Sequence, residues 1–314
     1  MALKSIPRNK KSKKSKRTKI CPEHKIIKGT NYTVDAFCYK PFDQKMVFFL
    51  SHFHTDHYKG LLKSFSEGDI YCSPITASLV LAKIGVNKKY LKPLQIGVKH
   101  KIPIKPTNQI FSKSTYSYVT LVEANHCPGS VIFFFEIPNK KVILHTGDFR
   151  FGDQLKNNPI CAKNKNVSFM YLDTTYCNPR FVFPTQKKCC EYVSQNIDKL
   201  KSDSKILFVI GSYNLGKEKI FVSVFKKTEL QIYVDPKRMA ILEHLNMDLN
   251  LETTFTTDSN KSRVHVLPLA KLNFGNLSKI LKGNKRYNKI VAFKPTGWCG
   301  AFSISKKSKI DVLG

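Results

Sequence analysis

Met46-Val47-Phe48-Phe49-Leu50-Ser51-His52-Phe53-His54-Thr55-Asp56-His57 sets five apolar residues directly against three histidines and a carboxylate. The apolar run predicts a buried strand, so the polar residues sit at a strand end, where a fold can converge them. In extended or looped backbone, side chains at i and i+2 project to one side, so His52 and His54 can share one metal. Asp56 and His57 can then turn toward a second. Imidazole nitrogen with carboxylate oxygen suits zinc, although iron and manganese accept similar sets. The competing interpretation is a histidine-rich surface loop, and the strand feeding straight into the loop argues against it.

Two further candidate ligands follow apolar runs in the same way. His126 lies in Glu123-Ala124-Asn125-His126-Cys127-Pro128-Gly129, just past Tyr118–Glu123, and Asp148 lies in Leu144-His145-Thr146-Gly147-Asp148-Phe149-Arg150, just past Val142–Leu144. Each alone is weak, because a lone histidine usually satisfies a local hydrogen bond and Gly-Asp is an ordinary turn. Together with the first loop they complete a set: three histidines plus Asp148 close one site, and Asp148 can bridge to an ion held by Asp56 and His57. Two ions roughly 3.5–4 Å apart would activate water and stabilise the leaving oxygen of a phosphodiester.

The composition suits such a substrate. The 314 residues carry 53 Lys+Arg against 22 Asp+Glu, a formal charge of +31. Nine of those cations fall in residues 1–19 with no acid and little apolar content, which predicts a disordered basic arm suited to nuclear import or phosphate contact. Subtracting them leaves +22 on the rest, so the folded part itself is basic and calls for a polyanion. Hydrophobic residues at 42% suffice for a sizeable core. No apolar run approaches the roughly 18 residues of a membrane span, and the basic start lacks the apolar core of a secretory signal. Nine cysteines without a repeating framework read as reduced thiols of a cytosolic or nuclear protein.

Beyond residue 30, short Val-, Ile- and Phe-rich runs predict strands at Met46–Leu50, Tyr118–Glu123, Ser130–Ile137, Lys141–Leu144, Phe169–Leu172, Ile206–Ile210, Gln231–Val234, Val264–Pro268 and Lys289–Phe293. Helical patterns lie at Ser73–Lys83, Gln186–Leu200, Gly216–Lys227 and Lys237–Asn246. The mixed order predicts an α/β fold. The expected units are the arm (1–19), a catalytic domain (20–178), a second domain (179–300) and a divergent tail (301–314).

Val34-Asp35-Ala36-Phe37, the His-x-His-x-Asp-His loop, Ala124–Gly129 and His145–Arg150 resemble, in order, the motifs of the metallo-β-lactamase fold. Tyr171-Leu172-Asp173-Thr174-Thr175-Tyr176-Cys177, Gly211-Ser212-Tyr213-Asn214-Leu215-Gly216-Lys217-Glu218-Lys219 and Lys294-Pro295-Thr296-Gly297-Trp298 resemble its nucleic-acid-processing β-CASP branch, in particular the DNA cross-link repair 1A and Artemis-like nucleases. The resemblance implies an αββα sandwich with an inserted β-CASP domain and 5′-to-3′ exonucleolysis on 5′-phosphorylated DNA in interstrand cross-link and double-strand-break repair. The expected protein is a nuclear monomer that binds DNA and no membrane. By the same resemblance His52, His54, His126 and Asp148 hold a first zinc, and Asp56 and His57 face a second. Asp35 orients a ligand histidine, and Asp173 positions the site histidine or water unless it is an ordinary turn cap. Asp56 orients or deprotonates the attacking water, and His145 is structural.

The Ser212–Lys219 loop joins a strand to an amphipathic helix, where glycines permit close approach and a helix N-terminus favours an anion. It lacks the Gly-x-x-x-x-Gly-Lys-Ser/Thr pattern of a nucleotide loop. Read alone it is either a phosphate grip or a plain turn; the resemblance selects Ser212, Tyr213 and Lys217 as the 5′-phosphate pocket. One departure stands out. Family members continue past Pro-Thr-Gly-Trp to a Ser-x-His motif, whereas here the last histidine is His265 and Ser303–Lys309 resembles nothing in that region. The chain therefore reads as truncated at its C-terminus, with the second metal position one ligand short. That leaves two rival readings: a weakly active or inactive DNA-binding repair factor, and an RNA-processing endonuclease of the same fold.

Overall fold

The computed structural model describes residues 20–39, 45–104, 116–138, 141–163, 166–247, 249–298, 305–307 and 310–313. The basic arm of residues 1–19 lies outside the described residues.

Three sheets organise the chain. The first is parallel and four-stranded: β1 (Tyr32–Val34), β2 (Val47–Phe49), β3 (Ile70–Cys72) and β4 (Leu91–Pro93), in that order. The second runs β5 (Lys99–Pro103), β6 (Tyr116–Glu123), β7 (Val131–Ile137), β8 (Lys141–His145), β9 (Val167–Tyr171), antiparallel except for the last pair. Period-two alternation explains their stacking. Phe49 faces Val119, Leu121, Phe133 and Phe135 in a shared core, while Phe48 and Leu50 face the opposite way with Leu79 and Val80 of helix Pro74–Ile84. Leu155 and Ile160, from the short helices Asp153–Lys156 and Pro159–Lys163, cover the outer face of the second sheet. Helix, sheet, sheet and helix make the expected αββα sandwich.

The third sheet contains β10 (Ile206–Ser212), β11 (Ile232–Tyr233), β12 (Phe255–Thr256), β13 (Val264–Pro268), β14 (Lys289–Phe293), β15 (Ser305–Lys307) and β16 (Ile310–Leu313) in the order β12-β11-β13-β10-β14-β16-β15. All its pairs are parallel except β15 with β16. Its central strand β10 is buried at every residue, the pattern of a strand covered on both faces. Helices Gln186–Leu200 and Glu218–Thr228 supply Val193, Ile197, Phe221 and Val224 to one face, and Leu277 of helix Phe274–Gly283 packs on the other. This layer occupies the place that the resemblance assigns to the β-CASP domain, and it shares a continuous core with the first sheet and helix Pro74–Ile84.

Several elements depart from the sequence expectation. The three-residue strands β1, β3 and β4 carry no periodicity of their own and exist because neighbours pair with them. The helix expected from Gly216 begins at Glu218, because Gly216 and Lys217 adopt left-handed φ values of 106° and 71°. The helix expected to reach Asn246 ends at Leu242. Within the segment expected to be a divergent tail, β16 extends β14 in parallel register, Ile290 to Ile310 through Phe293 to Leu313. Among the described residues no helix is long and apolar enough to cross a membrane.

Candidate metal centre

Each ligand loop leaves the edge of the stacked sheets under backbone control. After β1, Asp35 turns the chain at φ 54° while its N–H donates to the Phe49 carbonyl at 2.9 Å. This sets a buried carboxylate beside the loop that follows β2. After β6, the Asn125–Gly129 turn is closed by the Ser130 hydroxyl, which accepts from the His126 and Cys127 amides at 3.3 and 3.1 Å. After β8, Gly147 has φ 52°, and a Cβ there would lie 2.9 Å from Ser51 Cβ. Glycine therefore lets the Asp148 loop close onto the His52 loop.

The geometry converges three imidazoles. His52 Nε2 lies 2.9 Å from His54 Nδ1, which lies 3.2 Å from His126 Nε2. Asp148 Oδ2 stands 3.9 Å from His52 Nε2 and 3.7 Å from His126 Nε2. Ligands about 2.0–2.1 Å from a tetrahedral ion are separated from one another by about 3.3 Å, so these spacings bracket a four-ligand cage. The outward nitrogens are already engaged: His52 Nδ1 with Ser51 Oγ at 2.9 Å, and His54 Nε2 with the Leu215 carbonyl at 3.1 Å. The inward nitrogens of His52 and His54 are thereby left as lone pairs facing one another, which repel unless a cation lies between them, and this arrangement, with His126 and Asp148 beside it, fits a divalent metal.

A second position adjoins the first. His57 Nε2 lies 3.4 Å from Asp148 Oδ1 and 3.5 Å from Asp56 Oδ2, so Asp148 presents one oxygen to each cluster. His57 Nδ1 donates to Asp35 Oδ2 at 2.6 Å, and Asp35 also accepts from Ser51 N at 2.8 Å and Ser51 Oγ at 2.7 Å. Asp35 thus orients His57 directly and His52 through Ser51.

The electrostatics divide along the same line. Burial, with the neighbouring imidazoles, lowers His52 well below the ordinary histidine value; burial also lowers His54, and His126 to about 4. Those rings keep free lone pairs. Burial opposes charge on His57, but hydrogen bonds to Asp148 and Asp35 push it up to about 10. Burial raises Asp148, and the His57 hydrogen bond and charge outweigh that to hold it below the ordinary carboxylate range.

Cys127, absent from the sequence reading, brings its thiol within 4.8 Å of the ligand nitrogens of His52, His54 and His126. Burial, reinforced by Glu218 and Asp148, raises its pKa, so without a metal it is a neutral thiol. Its place beside His126 was the available signal. His145 stacks on Tyr171 at 5.4 Å and accepts the Gly147 amide at 3.1 Å, away from both clusters.

Other expected site residues are not gathered in. Asp173 Oδ1 caps Thr175, accepting from its amide at 2.9 Å and its hydroxyl at 2.7 Å, and the Asp173 amide donates to Thr146 at the base of the Asp148 loop. Its carboxylate is a turn cap, with no hydrogen bond or ion pair to a site histidine among the described residues. Ser212 is 1% exposed, its hydroxyl 3.0 Å from the Tyr213 and Gly216 carbonyls and contacted by Arg238 Nη1 at 3.3 Å. Burial removes it from a surface phosphate pocket and makes it part of the loop's frame. Buried Arg238 also donates to the Tyr213 carbonyl, an anchor the sequence did not signal. Tyr213 is exposed and Lys217 half-buried beside it, with Lys217 Nζ 4.6 Å from the Tyr213 ring centre and that ring 6.4 Å from His54.

Comparison with known proteins bears on the family of the chain. The family described as DNA repair metallo-beta-lactamase matches residues 249–312, reaching into the segment expected to be a divergent tail. The chain is 39% identical over 280 residues to the DNA cross-link repair protein SNM1 of Arabidopsis thaliana, covering 88% of this chain and 55% of that protein. It is 37% identical over 284 residues to the human DNA cross-link repair 1A protein (90% and 26%). It is 33% identical over 253 residues to the 5′ exonuclease Apollo of Danio rerio (81% and 42%). The chain thus spans from about a quarter to just over half the length of these relatives.

Proposed function

This chain belongs to the DNA-repair metallo-β-lactamase family, in its Artemis-like β-CASP branch, and from that premise we propose that it is a zinc-dependent nuclease degrading DNA from a phosphorylated 5′ end in cross-link and double-strand-break repair. The observation that carries the proposal is the convergence of His52, His54 and His126 with an Asp148 that faces both clusters.

Held by His52, His54, His126 and Asp148, with Asp56 and His57 alongside, a divalent metal would supply Lewis-acid polarisation of the phosphodiester and a lowered water pKa. The chain's own residues do the rest. Ser51, the Leu215 carbonyl and Asp35 engage the outward nitrogens of His52, His54 and His57, so that the opposite nitrogen of each ring is the one turned toward a metal. Asp56, 81% exposed at its side chain, stands at the open rim, where it can orient a water or take its proton. Lys217 and Tyr213 take the terminal phosphate beside His54. A chromosomal substrate calls for a nuclear protein, and the basic composition of residues 1–19 supports that location.

His54→Ala and Asp56→Ala are expected to abolish cleavage of 5′-phosphorylated single-stranded DNA while sparing most DNA affinity. RNA and 5′-hydroxyl DNA of equal length should be poor substrates. Cleavage that survives both substitutions would overturn the assignment.

A further inference from the structure

Beside the metal centre lies a cleft of about 330 Å³, lined by Tyr213, Leu269, Ala270, Lys294, Thr296 and Trp298. Tyr213 is its shared wall with the metal site, its ring 6.4 Å from His54. Trp298 rests on Tyr176 at 5.1 Å and edge-on to Phe181 at 6.3 Å, and Tyr176 in turn meets Phe183 at 4.9 Å. Loop packing accounts for part of this cluster: a Cβ on Gly297 would lie 2.7 Å from Tyr176 Oη and 3.2 Å from Phe183, so the turn is seated tightly on those rings. It does not account for Trp298, which is 64% exposed, or for Tyr213 at 48%.

We propose that Trp298 and Tyr213 form a stacking subsite for a nucleobase of the single strand entering the metal centre. The inference rests on the nuclease reading and adds to it the contact that grips the bases. Three observations select this occupant. Cations stand among the rings, Lys217 over Tyr213 at 4.6 Å, Arg180 over Phe181 at 4.9 Å and Lys294 in the cleft wall, and rings alternating with cations match a strand of bases on a phosphate backbone. The chain's +31 charge selects a polyanion over a basic protein segment. Tyr213 also belongs to both places, lining the cleft and standing 6.4 Å from the His54 ring.

Trp298 is the only tryptophan in the chain, so its emission reports this subsite alone. Metal-loaded protein is titrated with a short 5′-phosphorylated oligothymidylate carrying phosphorothioate linkages that resist cleavage, and with an abasic oligomer of equal length and charge. Binding is followed independently by anisotropy of a label on the oligomer. The expected result is saturable quenching of Trp298 by the oligothymidylate and none by the bound abasic chain. Trp298→Ala should weaken oligothymidylate binding about tenfold, leave the abasic oligomer unchanged, and be largely rescued by Trp298→Phe. Oligothymidylate that binds with emission and affinity indifferent to Trp298 would overturn the subsite, assign the patch to a protein surface, and leave the nuclease reading standing. Absence of binding by either oligomer would overturn the nuclease reading and the subsite with it.

Discussion

Asp35→Asn tests the logic of the metal centre with almost no change in shape. The carboxylate accepts three hydrogen bonds: His57 Nδ1 at 2.6 Å and Ser51 Oγ at 2.7 Å on one oxygen, and Ser51 N at 2.8 Å on the other. An amide can accept at only one of those oxygens. With its NH2 toward His57 and Ser51 Oγ, donor meets donor, and relief requires His57 to give up the proton on Nδ1 and keep one on Nε2, the nitrogen that should face the metal. With its NH2 toward Ser51 N, the clash falls on an amide proton that cannot rotate away. The left-handed φ of 54° does not confound the test, because asparagine tolerates that region as aspartate does. Loss of such an orienting partner lowers metal affinity about 10–100-fold, or about 1.4–2.7 kcal/mol. The effect should be larger at the position served by His57 than at the one served by His52, which Asp35 reaches only through Ser51. Chelator competition with the purified variant measures both affinities, and single-turnover cleavage should fall in parallel. Affinity within about twofold of the parent at both positions would refute the orienting role.

Three further outcomes follow from the same geometry. Gly297→Ala should cost about 1–3 kcal/mol, read as a fall in thermal midpoint with a shift in Trp298 emission, because the new Cβ meets Tyr176 Oη at 2.7 Å; an unchanged midpoint would show that the turn is not tightly seated. The metal-free protein should be most stable near the ordinary histidine value of about 6.5. Below it, His126 and His145, buried with pKa values of about 4, resist the proton that the unfolded chain accepts, so stability is lost as pH falls from about 6.5 toward 4. Above it, His57, raised to about 10 once its hydrogen bonds to Asp148 and Asp35 outweigh burial, loses its contribution as pH climbs from about 6.5 to 10. A flat melting profile from pH 4 to 10 would contradict both assignments. DNA affinity should fall steeply with salt: for about five phosphates contacted on a single strand, the loss between 50 and 200 mM salt is roughly a hundredfold. A flat salt titration would separate the net charge from DNA binding.

The part of the site legible from the chain alone was the part encoded contiguously. His52, His54, Asp56 and His57 share one loop after one apolar strand, and His126 and Asp148 follow other apolar runs, so strand ends and ligand chemistry together marked them. The amphipathic helix Gln186–Leu200 and strands such as Val264–Pro268 and Lys289–Phe293 were equally plain, because each satisfies its period over enough residues to be read locally. Tertiary structure decided what depends on partners remote in sequence. Strands of three residues, such as β1 and β3, are strands only beside β2, because isolated they close no hydrogen-bond ladder. Ser212 looked like a phosphate ligand and is a frame, because Arg238, 26 residues away, buries against it. Asp173 read either as a positioning residue or as a turn cap, and its Oδ1 caps Thr175. Leu215, 161 residues from His54, fixes that ring through a carbonyl that every residue type carries. Side-chain identity and local period are written in the sequence. Which lone pair faces which proton is set only when distant loops are packed against one another.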